Sequence, residues 1–150
     1  MSDYEFTMSL RIRHPHIDPA EITRRLDIEP QHTWRVGDPR LDPSGGELKG
    51  EYRESYWMGR LMAQPALASD QVGVESEILR VLAHIRQSFG FLDTLKSEGA
   101  RAELHVSIFA REEFQLEFLP ESLAMLGRLG LTLTIEIKPH PSRVEAIGSH

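Results

Sequence analysis

The sequence predicts an α+β fold: a ferredoxin-like antiparallel sheet with its helices on one face, plus a helix and strand added at the C-terminal end. Three segments, 4–12, 102–110 and 131–138, alternate apolar and polar residues with a period of two, as strands that bury one face do. Strands of a parallel sheet covered on both sides read instead as continuous apolar runs, so the alternation implies a sheet with one polar face. Between these segments the apolar spacing changes to three and four. The resulting order is strand, helix, strand, strand, helix, strand, helix, strand, and its first six elements match the ferredoxin-like pattern.

The first strand carries Tyr4, Phe6, Met8, Leu10 and Ile12 on one side and Glu5, Thr7, Ser9 and Arg11 on the other. A short helix to about Asp27 follows: Asp18 caps its free amides, Pro19 suits the first position, Glu21 completes a capping box and Ile17 staples the start against Ile22. Glu29-Pro30 breaks helical geometry, and Thr33-Trp34-Arg35-Val36 makes a short second strand. Residues 38–50 hold Pro39, Pro43 and three glycines and read as a long surface loop. It leads to a third strand in which Tyr52, Tyr56 and Met58 face one side and Arg53, Ser55 and Trp57 the polar side. After an irregular link over 61–73, with a cap at Ser69 or Asp70, Val74, Ile78, Val81 or Leu82, Ile85 and Phe89 recur at helical spacing. That pattern restarts after Gly90 and stops at Gly99. Leu104, Val106 and Ile108 then alternate with Glu103, His105, Ser107 and Phe109 in the clearest strand. Pro120 opens a helix carrying Leu123, Leu126 and Leu129, Gly130 ends it, and 131–138 is the last strand. A single domain spans 1–138, with 139–150 as a flexible tail.

Composition narrows the function. The net charge of −6, from 17 Lys and Arg against 23 Asp and Glu, and the lack of a basic stripe argue against nucleic acid, whose backbone is bound by basic groups that release counterions. The chain has no cysteine, which excludes disulfides, thiolate nucleophiles and Cys-based zinc sites. Met1-Ser2-Asp3-Tyr4-Glu5 is acidic where a signal peptide is basic, and no apolar run approaches the roughly 18 residues of a membrane span. A cytoplasmic protein with no membrane contact is expected.

Chemically capable groups are densest at Thr33-Trp34-Arg35-Val36-Gly37-Asp38, where Trp34 offers a stacking surface, Arg35 a guanidinium for a carboxylate or phosphate, and Asp38 a group to orient it. Burial of Trp34 under the first helix, with Gly37-Asp38-Pro39 as a turn, is the competing reading. The polar sheet face offers Arg11, Arg13, Arg53, His105, Thr132, Thr134, Glu136 and Lys138, together with Trp57 and Phe109. Large aromatics and Arg are the types that anchor protein contacts. His14, His16 and His32 flank the first helix in loops, lack the helical spacing of a metal pair, and imply no metal site. Glu103, His105 and Ser107 sit about 7 Å apart along one strand, too far to act as a triad. No phosphate loop or nucleophile elbow is present, so no catalytic residue and no cofactor is assigned.

Several of these segments also occur together elsewhere. Ser9-Leu10-Arg11-Ile12, the run from Ile17-Asp18-Pro19 to Arg24-Arg25-Leu26, Thr33-Trp34-Arg35-Val36-Gly37-Asp38, a strand ending near Trp57, and Leu129-Gly130-Leu131 before a strand resemble a bacterial family of uncharacterised proteins, domain of unknown function 4279. The resemblance covers most of the chain in order and implies a small single-domain protein of the bacterial cytoplasm with no assigned activity. It transfers no catalytic residue.

These readings combine into an expected function: a non-enzymatic interaction module, immunity-like or regulatory, that binds a protein partner or its own copy as a homodimer through the open sheet face and the loop after Trp34. The expected contact residues are Trp34, Arg35, Asp38, Trp57, His105 and Phe109. The alternative is a small-molecule binding protein or hydrolase with a pocket near Trp34, Arg35 and Asp38.

Overall fold

The computed structural model describes residues 2–62 and 66–142. β1 (Tyr4–His14) alternates buried and half-buried residues without a break over all 11 positions. β5 (Ser55–Arg60) and the two-residue β6 (Leu67–Ala68) pair with one edge of β1, and β7 (Arg101–Ala110) pairs with the other. β2 (Pro30–Trp34) lies outside β5, and β8 (Leu131–Pro139) lies outside β7, giving the order β2-β5-β1-β7-β8 with β6 beside β1.

The sheet is mixed, which corrects the expected antiparallel one. β7 and β8 run parallel because α4 (Pro120–Leu129) carries the chain back between them, as a β-α-β connection must. The other pairings are antiparallel.

Local chemistry explains most of the helices. In α1 (Pro19–Leu26) the Asp18 carboxylate accepts from the Ala20 amide at 3.0 Å, and Asp27 closes the helix in the left-handed region with φ 54°. The capping box does not close, since Glu21 pairs with Arg24 instead. Gly130 ends α4 at φ 69°, where an L side chain is strained. Leu123 is exposed, and Leu126 and Leu129 carry the buried face. α2 (Val74–Ile85) passes through a 3-10 turn at Arg86–Ser88 into α3 (Phe89–Ser97). Its cap comes from a distant residue: the Val74 amide donates to the Tyr4 hydroxyl at 3.1 Å, and burial pushes that phenol above its ordinary pKa. Ser69, a predicted cap, instead accepts the amides of Asp3 and Tyr4.

Two stretches depart from the sequence reading. In place of the long loop expected over 38–50, β3 (Pro39–Leu41) and β4 (Glu47–Glu51) form a separate exposed two-stranded ribbon. The third strand has its faces exchanged. Trp57 is opposite Ile12 and fully buried, while Tyr56 and Met58 are on the side of Arg13 and Arg11. The Trp57 ring lies over Gly59, where a Cβ would meet its Cη2 at 2.5 Å and Ile28 Cγ2 at 2.8 Å. Its indole N–H donates to Thr23 Oγ1 on α1 at 3.0 Å.

One core results. Phe6, Met8, Leu10 and Ile12 of β1, Leu104, Val106 and Ile108 of β7, and Trp57 cluster with the buried residues of all four helices. Pro139, assigned to the tail from the sequence, closes β8, and the His140 amide donates to Ala110 O. The rest of that tail, 143–150, lies outside the described residues, as do 63–65 of the predicted link. Among the described residues no helix is long and apolar enough to cross a membrane.

Two substitutions test this packing. Val106→Asp places an unpaired charge at a fully buried site and should abolish the cooperative thermal transition. Gly59→Ala should cost about 1–3 kcal/mol by overpacking against Trp57 and Ile28, read as a lower Tm. An unchanged Tm for either would place the core on the wrong side of the sheet.

Candidate functional site

The odd-numbered residues of β1 face away from the core, and strand register sets their neighbours in rows. At one end Trp34, Tyr56, Arg13 and Arg101 lie side by side across four strands. The next row holds Met58, Arg11, Glu103 and Thr132, and the one after it Arg60, Ser9, His105 and Thr134. Glu5, Phe109 and Lys138 close the far end, eight residues along β1 from Arg13 and so about 27 Å away at ~3.4 Å per residue.

Trp34 anchors the first row. It stacks on Tyr52, centroids 4.2 Å apart, and on Tyr56 at 4.4 Å, while the Arg13 guanidinium sits 4.8 Å over the Tyr56 ring. These rings pack on one another and on a cation, and the Trp34 Nε1 is buried without a hydrogen-bond partner.

Arg35 and Asp38 lie at a separate corner. The Asp38 carboxylate accepts the Arg35 amide at 2.9 Å, and the Asp38 amide donates to Arg35 O, so Asp38 builds the turn and does not orient the guanidinium. Gly37 takes φ 89° in that turn and its amide donates to Tyr52 O. Arg35 instead approaches Asp18, the cap of α1, at 3.5 Å, with both side chains more than half exposed. Asp18, Thr23, Thr33, Trp34, Arg35 and Asp38 line a cavity of about 400 Å³.

His105 is buried at mid-face, with Nε2 3.3 Å from the Glu136 carboxylate on β8. Phe109 is half-buried at the far end. Trp57, expected on this face, belongs to the core. The structure therefore brings Trp34, His105 and Phe109 onto one face without clustering them, and sets Arg35 and Asp38 beside its first row. Sequence reasoning missed Tyr52 and Tyr56 as partners of Trp34; the signal was available in Gly59, whose lack of a side chain marks the face on which the large Trp57 ring lies.

Several further ionisable groups are held by structure. His14 is not in a loop but ends β1, 1% exposed; its Nδ1 accepts the His16 and Ile17 amides, which leaves Nε2–H to donate to Glu98 at 3.0 Å. No group of three or more His, Asp or Glu suited to a metal ion occurs among the described residues. At the far end the Arg111 guanidinium donates to Glu5 at 2.8 Å, with His140 beside it, and together they hold the Glu5 carboxyl below its ordinary value. Lys138, with a smaller effect of His105, does the same for Glu136.

Residues 4–140 match a family described as Domain of unknown function (DUF4279). The chain belongs to this family. No curated protein and no solved structure gives a significant match. The DUF4279 match spans all the strands and helices described above, so both the open face and the Arg35 corner lie within the family domain.

Two outcomes follow for the charged groups. Arg35→Ala should lower stability by less than about 1 kcal/mol, because its pair with Asp18 is exposed; a loss of several kcal/mol would mean a buried pair. A depressed carboxyl stabilises the fold above its unfolded pKa, so the contribution of Glu5 is full near neutral pH and lost as pH falls through 4.5 and then through the lower folded value. Thermal melts of wild type and Glu5→Gln should therefore differ near neutral pH and converge on acidification. A gap that does not change with pH would contradict this.

Proposed function

We propose that the protein is a non-catalytic interaction module of the bacterial cytoplasm, immunity-like or regulatory, that binds a protein partner or its own copy through the open face of its sheet. One observation carries this reading. The buried side chains of all four helices join the core on one side of the sheet, while the other side presents half-buried arginines and aromatics at the spacing of adjacent strands. Arg and large aromatics are enriched at contact hot spots, and a flat strand face suits another protein surface better than a small substrate. The order β2-β5-β1-β7 with antiparallel neighbours is that of a ferredoxin-like core, which supports that finer reading of the fold, with α4 and β8 as the addition.

The second reading, a small ligand or hydrolase pocket, rests on the cavity of about 400 Å³ beside Trp34 and Arg35. It has less support. Asp18 and Asp38 both hold backbone amides there, and no histidine lines it to act as a base.

Phe109→Glu and Ser107→Arg alter the face without touching the core. For self-contact, light scattering behind a sizing column should read about 34 kDa for wild type, twice 17.1 kDa, and the monomer mass for both variants. For a foreign partner, affinity capture from the source cells should retain a protein with wild type and lose it with both variants. A wild-type monomer whose captured proteins are the same for all three would reject the open face as the contact.

A further inference from the structure

The first two rows of the open face contain a cluster of arginines that local acids leave incompletely neutralised. Arg13 and Arg101 lie directly opposite each other on β1 and β7, an unfavourable like-charge pairing unless an anion lies between them. Glu54 fills that position: it accepts from Arg101 at 2.9 and 3.0 Å and stands 3.9 Å from Arg13. Arg11 is different. Its cross-strand neighbour Glu103 is the natural partner, yet the Glu103 carboxylate turns to the Thr134 hydroxyl on β8 at 2.5 Å. Among the described residues Arg11 has neither an ion pair nor a hydrogen bond, and its Nε is buried without a partner. Arg11, Arg13, Arg101, Glu103 and Thr132 line a cavity of about 190 Å³, room enough for a carboxylate group.

A buried guanidinium nitrogen without an acceptor is costly, and Arg11, which carries one, lines this cavity with the rest of its side chain half-buried. We infer that this cavity is a recognition site for a carboxylate side chain of an acidic protein segment, held in a fork by Arg11 and steadied by Arg13. The inference deepens the open-face reading and rests on it. Three guanidiniums against two carboxylates leave one positive charge to be met, and the cation stacked on Tyr56 is fixed in orientation before binding. A nucleic-acid backbone fits less well. Glu136, four residues along β8 from Thr132, sets a further carboxylate on the same face against a continuous row of phosphates, and Trp34, Tyr52 and Tyr56 stack on one another instead of standing free for bases.

The test uses the full chain and a labelled hexaglutamate peptide, followed by fluorescence anisotropy at low salt, with hexaglutamine, inorganic phosphate and oligouridylate as comparisons. Hexaglutamate should bind and hexaglutamine should not; Arg11→Ala and Arg101→Ala, each with wild-type melting, should weaken binding about tenfold or more for Arg11 and less for Arg101. Arg11→Lys should not restore it, because an ammonium cannot present the fork. Phosphate should compete only at higher concentration. The inference is overturned if hexaglutamate fails to bind, if Arg11→Ala binds as wild type, or if oligouridylate binds more tightly than the peptide. Should the pocket fail alone, Phe109→Glu and Ser107→Arg still abolish the protein contact; should the open-face reading fail, they leave it intact.

Discussion

β1 holds 11 residues in unbroken alternation at the centre of the sheet, hydrogen-bonded on both edges, and the placement of every other side chain follows from that constraint. Its even-numbered residues enter the core with the four helices, and its odd-numbered residues form the open face. A slip of one residue between β1 and β5 would exchange the faces of β5, turning Tyr56 and Met58 to the core side and Trp57 to the open side. The register with β5 prevents this because Ile12 opposes Trp57 and Leu10 opposes Gly59. The indole then covers the glycine and donates to Thr23, so one strand pairing fixes the core and the seat of α1 together. The same register sets Trp34, Tyr56 and Arg13 side by side on the other face.

Much of this was legible in the sequence where a single physical signal dominates. The alternation of β1 and β7, Asp18-Pro19 at the start of α1, and Pro120 and Gly130 around α4 are each governed by local rules that tertiary packing does not overturn. The β5 segment was not legible in the same way. Ser-Tyr-Trp-Met contains three consecutive side chains able to take either face, so hydrophobicity alone does not assign the faces, and only the cross-strand partners do. The ribbon of β3 and β4 was hidden by its prolines and glycines. The cap of α2 was hidden because the Tyr4 hydroxyl that supplies it is 70 residues away.

The candidate site shows the same division. Arg11, Arg13, His105 and Phe109 follow directly from alternation, whereas the environment of each depends on neighbours that alternation does not name. The β1–β7 register places Glu103 opposite Arg11, but the Thr134 hydroxyl on β8 draws the carboxylate aside. Asp38 likewise reads as a partner for Arg35, and its proximity to the Arg35 amide makes it a turn residue instead. The face that results is polar and partly dehydrated. Its aromatic rings stabilise a cation, its central histidine is tied to Glu136, and its charge is uneven along the strands. Such a surface is suited to selecting a partner by charge position more than by buried apolar area.

The central claim is that the sheet divides into a sealed core face carrying Trp57 and a recognition face carrying Trp34. The two indole N–H groups report on it separately, because one donates to Thr23 Oγ1 in the core and the other has no partner beside Tyr56 and Arg13. A nitrogen–proton NMR correlation spectrum recorded during titration with hexaglutamate should move the Trp34 indole signal while the Trp57 signal stays fixed, each assigned by its Trp→Phe variant. Movement of the Trp57 signal with Trp34 stationary would contradict the account.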